Sequence, residues 1–438
     1  GDDNVAIGYA ALDAVTTASD NTAVGMNALL VNTASDNTAV GSLTLDANVD
    51  GTQNVAVGTK ALGANTSADG NTAVGYIAMG ANTTGAQNTA VGSQALDANT
   101  EGEALVAVGY GALGANTTAS YNTALGYAAL FDNTTGTRNT AVGRLALGDV
   151  ISEDDNTAVG YNALLVNTAS DNTAVGSLSL DANTSGANNT ALGKSSLSAV
   201  VSGDDNTAVG TNALLVNTAS DNTAVGSAAL DANTSGAGNT AVGKGALTGN
   251  TTASNNTAVG FLALDVNTEG TKNTAVGKGS LGANITGDDN TAIGMSTLSV
   301  NTVSDNTAVG SQALDANTTG AQNVAVGTNA LGANISANGN TAVGYIALLA
   351  NTTGANNTAV GSRALDANLE SADNTAVGYN SMTANTEGHS NTAVGSKSLD
   401  ANTTADNNTA VGYNSMSVNT TGANNTAVGS LALDAQTD

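Results

Sequence analysis

The pentapeptide Asn-Thr-Ala-Val-Gly returns every 17 residues, occasionally every 16, from Asn21 to Asn425. Near variants beginning at Asn4, Asn54, Leu105 and Asn323 bring the copies to about 26, and they fill the 438-residue chain. A short fixed period commits a chain to stacking, because one unit cannot bury an apolar face alone. The consensus is N-T-A-V-G-x-x-A-L-x-A-N-T-(T/S)-G-x-(D/N/Q), numbered here from its Asn. Position 3 is Ala and position 5 is Gly in every copy, and position 9 is Leu or Met (Leu12, Met79, Leu433). Position 4 is Val with Ile and Leu variants (Ile7, Leu125, Leu192, Ile293). Where a copy has 16 residues, the missing one falls in the closing stretch, as in Thr33-Ala34-Ser35-Asp36.

The unit is too rich in Gly, Asn and Thr for a helix. A β-like run covers positions 1 to 5 and a second roughly 8 to 12, separated by turn-forming residues. Two strands and two turns per 17 residues predict one coil of an all-β, parallel β-solenoid (β-roll). The expected domain organisation is a single continuous repeat domain over 1–438 without capping repeats. About 26 coils at about 4.8 Å each would make a rod roughly 120–130 Å long.

Strand alternation then assigns faces. Thr22 and Val24 share one face and Ala23 and Gly25 the other. The expectation is that Val at position 4 and Leu at position 9 fill the interior. The Ala–Gly face would then pack against another chain, most simply in a homotrimer. Gly210→Val or Gly226→Val should therefore disturb assembly more than changes at Thr211 or Asn212. Asp occupies position 10 in ten of the 26 copies, never in two consecutive ones (Asp46, Asp97, Asp231, for example). In-register stacking would bring neighbouring carboxylates within about 4.8 Å, where like charges repel. Duplication of three-coil blocks (21–70, 156–205, 206–255) would also space them.

Composition fits a thin interior. The chain has 53 Gly, no Pro, Cys or Trp, and 3% aromatics, so small aliphatic side chains must form the core. The net charge of −27 opposes binding to nucleic acid or anionic lipid, since phosphate contacts require Lys and Arg. No 18-residue apolar run is present, so no membrane insertion is expected. Three residues precede the first repeat and the last stops after 14, which together make one repeat. Gln436-Thr437-Asp438 followed by Gly1-Asp2-Asp3-Asn4 of another copy reads like the internal stretch Asn284 to Asn290. That match leads to the expectation of head-to-tail filaments.

Asn4-Val5-Ala6-Ile7-Gly8 with Ala11-Leu12 closely resembles the head repeats of trimeric autotransporter adhesins. The NTAVGxxAL…NTTG form is also similar to repeats of phage tail-fibre-like and bacterial cell-surface proteins. The resemblance spans essentially the whole chain. It implies a parallel β-roll, trimerisation, and an extracellular or cell-surface location, with a cell-surface or matrix ligand as a partner to look for.

Nothing in the sequence assembles a catalytic set, so no catalytic, cofactor-binding or metal residue is assigned and no enzyme is expected. His389 is the one His, in a turn beside Glu387 and Gly388, and reads as an exposed loop residue. The pairs Asp2-Asp3, Asp154-Asp155, Asp204-Asp205 and Asp288-Asp289 offer oxygen ligands of the kind Ca²⁺ takes. Solvated turn residues are the favoured reading. The Asn columns at positions 1 and 12 read as structural ladders bonded up and down the stack. Asn-Thr-Thr triplets such as Asn82-Thr83-Thr84 match glycosylation acceptors only because the repeat generates them. The leading expectation is an extracellular structural fibre or adhesin shaft that self-associates. A phage tail-fibre segment is the alternative. An ice-binding solenoid is less favoured, because each strand offers one Thr, and alternation sets that one on the inward face with Val.

Overall fold

The computed structural model describes residues 1–199 and 202–435. The expected junction through Gln436, Thr437 and Asp438 lies outside the described residues. Two compact units divide the chain, Gly1–Asp221 and Asn222–Asp438. The first carries 13 three-residue strands, β1 (Val5–Ile7) to β13 (Thr207–Val209), and the second 13 more, β14 (Thr223–Val225) to β26 (Thr426–Val428). Every strand spans positions 2 to 4 of its repeat. Within each unit, successive strands pair parallel and in register, Ala on Ala, as in Ala73↔Ala90 and Ala376↔Ala393. No helix occurs among the described residues. The parallel β-solenoid of about 26 coils is thus the fold.

Length changes are absorbed where the sequence placed them. The 16-residue coil at Asn21 keeps the register Thr22↔Thr38. Its position 12 amide, Asn32 Nδ2, donates to Ala34 O two residues on, at 2.7 Å. In a 17-residue coil the same bond reaches three residues, from Asn82 Nδ2 to Gly85 O at 3.0 Å. The deletion therefore shortens the closing turn and leaves the strand register unchanged.

The faces are the reverse of those expected. The position 3 Ala is buried in every coil beyond the first, Ala23, Ala141 and Ala342 having no exposed surface. Position 4 points outward, with Val74 36% and Leu125 46% exposed. The interior is made of position 3 Ala, position 8 Ala or a small polar residue, position 9 Leu or Met, and two columns of Asn. The Ala–Gly face is thereby filled by the chain itself, and the basis given for a trimer through it does not hold.

The second strand is also absent. Positions 6 to 11 are successive turns, in which position 9 takes a left-handed conformation in all 26 coils, from Leu45 at φ +49° to Met382 at φ +55°. Position 7 is left-handed too (Asn27 φ +59°, Ile77 φ +56°), as is position 17 (Asp171 φ +62°, Asn255 φ +62°). Asn, Asp and Gly tolerate that region at little cost, which accounts for Asn and Gly at 7 and for all three at 17. Leu does not, yet it is held there because the alternation turns its side chain inward. The turns still bond between coils: Leu62 N–H donates to Ala78 O at 3.0 Å, and Ile77 N–H to Thr59 O at 3.1 Å.

Two buried Asn ladders stitch the interior. At position 1, each N–H donates to the Oδ1 of the preceding coil's Asn, as Asn71 does to Asn54 at 2.9 Å. Its Nδ2 reaches the position 15 carbonyl of its own coil, Asn71 to Gly85 O at 3.0 Å. At position 12 of most 17-residue coils, Nδ2 donates both to the preceding Asn and to that same carbonyl, Asn99 reaching Asn82 Oδ1 at 2.8 Å and Gly102 O at 3.0 Å. The structural reading of both columns agrees with this geometry.

The position 12 ladder is interrupted within the first unit. Val150 replaces Asn at position 12, fully buried, and leaves Asn133 Oδ1 of the preceding coil buried without a partner. An unpaired buried acceptor costs about 1–3 kcal/mol. Val150→Asn is therefore expected to raise stability despite the lost methyls, by about 1 kcal/mol. Urea unfolding of the two proteins measures it, and an unchanged or lower midpoint refutes it.

Candidate interaction face

With Ala turned inward, positions 2 and 4 form the outer surface of the sheet. Position 2 is Thr, or Val at Val5, Val55, Val106 and Val324, and position 4 is Val, Ile or Leu throughout. No charged residue stands at either position in any coil, although the chain carries a net −27. The Thr residues are mostly half-buried and the Val residues lie at or near the exposed class. Parallel register repeats this pair about every 4.8 Å along each unit. Each unit so presents one column of hydroxyls beside one of branched apolar side chains. The Thr column, expected inside, is outside.

The position 5 Gly closes one edge of this face. Its φ lies far in the positive region, +140° at Gly226, and a Cβ there would stand 2.5 Å from Gly243 O of the following coil. Backbones of neighbouring coils touch at this column, within one chain rather than between chains.

The residues singled out for possible chemistry take structural parts. His389 is exposed, and its Nδ1 accepts from Ala372 N–H at 3.0 Å while its own N–H donates to Asp406 Oδ1 at 2.7 Å. It sits at position 16, a column where a side-chain acceptor serves the N–H of the preceding coil. The acidic pairs use the same device: Asp154 Oδ1 accepts from Thr137 N–H at 2.6 Å, and Asp288 Oδ1 from Thr271 N–H at 2.6 Å. Asp155, one place on, makes a two-point ion pair with Arg138 at 2.7 and 2.8 Å. No cluster of three or more metal-ligating side chains occurs among the described residues.

The position 10 Asp residues occupy the shoulder of the coil. In-register stacking is as the spacing required, and the residue next in the column is uncharged, Gly63 after Asp46 and Thr248 after Asp231. Partial burial pushes the carboxyls of Asp46, Asp97, Asp231, Asp265, Asp315 and Asp400 above the ordinary carboxylate value. Asp149 is raised as well, by burial and then by the charge of Asp132. Asp155 is lowered, first by its hydrogen bond from Arg138. A raised carboxyl stabilises the fold in its protonated form, and that contribution is lost as pH rises through the folded-state value. Asp155 acts oppositely, losing its contribution as pH falls. Seven raised groups against one lowered predict a melting midpoint higher near pH 4 than near pH 7. Relief of self-repulsion at net −27 acts in the same direction. A midpoint that falls steadily on acidification would contradict this.

One signal was legible in the sequence and passed over. Eight of the nine Tyr residues stand at position 6, among them Tyr76, Tyr110, Tyr127, Tyr161 and Tyr345. All eight are exposed. Tyr110 and Tyr127, in successive coils, stack at 5.4 Å between centroids, 14° from parallel. Arg144 continues the column between Tyr127 and Tyr161, 5.6 and 5.5 Å from their centroids.

No protein-family model matches this sequence, and no curated protein is significantly similar to it.

Proposed function

We propose that the chain is an extracellular structural fibre or adhesin shaft, without catalysis, that associates with copies of itself through the Thr–Val sheet face. The observation that carries the reading is the charge-free character of that face on a strongly acidic protein. Elsewhere, like charges keep copies apart, whereas here a strip of Val, Ile and Leu recurs in every coil with only Thr beside it. Apolar surface that repeats in register is suited to a second identical surface, and burial of each Val contributes roughly 25 cal/mol per Å². The resemblance to trimeric adhesin heads and tail-fibre repeats supports a trimer and a cell-surface or phage setting.

Sedimentation of the purified chain tests the proposal. A trimer or larger assembly is expected at micromolar concentration. Val242→Lys, Val259→Lys and Val276→Lys combined should leave a monomer with unchanged far-ultraviolet dichroism. A wild-type chain that stays monomeric at every concentration removes the self-association.

The outward Thr column favours a second reading, adsorption to ice. A regular hydroxyl column beside a methyl-rich one is a surface on which water can be ordered. Thermal hysteresis in dilute solution separates this reading from the first, which expects none.

A further inference from the structure

Shallow grooves lie on the outside of the turn segment, lined at positions 7, 10 and 11 and, in the larger one, also at position 6. On the coils from Asn37 to Gly80 the smaller encloses about 360 Å³ and is lined by Leu43, Asp46, Lys60 and Ile77, with no aromatic side chain. On the coils from Gln94 to Leu145 the larger encloses about 580 Å³, and three of its lining residues are aromatic. Phe131 lies over two glycines of the preceding coil: a Cβ on Gly114 would come within 2.9 Å of the ring, and one on Gly111 within 3.2 Å. Tyr110 stacks one face on Tyr127. Its other face turns toward the coil of Ser93, whose side chain is too small to cover it, and Tyr110 is 49% exposed. Asp97 and Gln94 of that coil complete the wall.

We propose that this larger groove is a carbohydrate-binding site for a short, neutral oligosaccharide. Aromatic faces receive the C–H side of a pyranose ring, and the Asp97 carboxylate and Gln94 amide supply the acceptors and donors that its hydroxyls require. A volume of about 580 Å³ with a few polar groups among apolar walls lies in the range of small-molecule sites. Asp97 and the net charge of −27 select against an anionic sugar. The groove extends over four successive coils, about 14 Å from first to last, which fits an extended chain of sugar units better than one small cation. The unadorned groove at Asp46 shows that the coil supplies the channel, and that Tyr110, Tyr127 and Phe131 supply the recognition. The site is independent of the sheet face and of the oligomeric state.

Calorimetric titration of the full chain with cellohexaose, laminarihexaose and mannohexaose tests it, with trigalacturonate and choline as charged controls. At least one neutral hexasaccharide should bind with a dissociation constant below about 5 mM, the weak end of affinities that a few such contacts give. Tyr110→Ala and Phe131→Ala should each weaken binding about tenfold, the loss of one stacking platform. Tyr110→Phe should retain it, and Ile77→Ala in the other groove should leave it unchanged. Thermal melts of the variants identify any that fail to fold, and Tyr110→Phe with Asp97→Asn then carries the comparison, the second losing affinity. No binding by any neutral probe, equal binding by all folded variants, or binding of choline alone overturns the proposal.

Discussion

Gly226→Val should lower the stability of its unit by at least about 3 kcal/mol, a loss made of left-handed strain and steric overlap together. The φ of +140° is one that L side chains rarely adopt, and the new Cβ would sit 2.5 Å from Gly243 O and 2.6 Å from its carbonyl carbon. Neither atom can move freely. Gly243 N–H donates to Val225 O at 2.7 Å, so the carbonyl belongs to a backbone already tied to the coil that the substitution disturbs. In a stack whose stability is a sum of nearest-neighbour terms, the damage should appear as a weakened junction. Calorimetry should show the single transition broaden or split. Ser227→Val, one residue away and exposed, should move the midpoint by less than about 0.5 kcal/mol. The rank order is the one first expected from assembly between chains, but the contact lies inside one chain. It should therefore persist in a protein that has been diluted to monomer. Equal stability of Gly226→Val and the wild type would remove the close backbone approach as a constraint.

The coil, its parallel register and its tolerance of one deleted residue were legible because they follow from periodicity, which needs no knowledge of what lies inside. The choice of face was not. Alternation sorts Thr22 and Val24 from Ala23 and Gly25 but does not say which set is inward, and hydrophobicity alone favours Val. The better signal is variation between copies: position 3 never departs from Ala, whereas position 4 accepts Ile7, Leu125 and Leu192. A tight interior forbids variation in size and an open surface permits it. The supposed second strand failed for a different reason. Left-handed residues at position 7 leave a trace in Asn27, Gly111 and Asn162, but at position 9 the sequence shows Leu, which no turn rule marks. Tertiary packing of that Leu overrides its backbone preference. The aromatic groove was hidden because Phe131 stands alone at its position, and its platform, Gly111 and Gly114, lies a full coil earlier.

Replacing one internal Asn should be nearly as costly as the glycine change, and replacing two adjacent ones should cost less than the sum. Asn99 is fully buried; its Nδ2 donates to Asn82 Oδ1 at 2.8 Å and Gly102 O at 3.0 Å, and its Oδ1 accepts from Asn116 Nδ2 at 2.9 Å. Leu is of similar size but makes none of these bonds. Gly102 O keeps a donor in Asn88 Nδ2 at 2.8 Å, and Asn116 Nδ2 keeps an acceptor in Ala119 O at 3.1 Å. Asn82 Oδ1 keeps nothing equivalent and becomes the orphan, as Asn133 Oδ1 already is beneath Val150. One orphan at about 1–3 kcal/mol and two lost bonds at about 1 kcal/mol each put Asn99→Leu near 3–5 kcal/mol. Adding Asn116→Leu removes the bond between the pair only once and sets two apolar side chains against each other. The double variant should therefore be more stable than additivity requires, by about 1 kcal/mol or more. A double-mutant cycle in urea reads the difference directly. Strict additivity would mean that the ladder bonds act independently, and the polar interior would then be a set of separate contacts instead of a column whose members support one another.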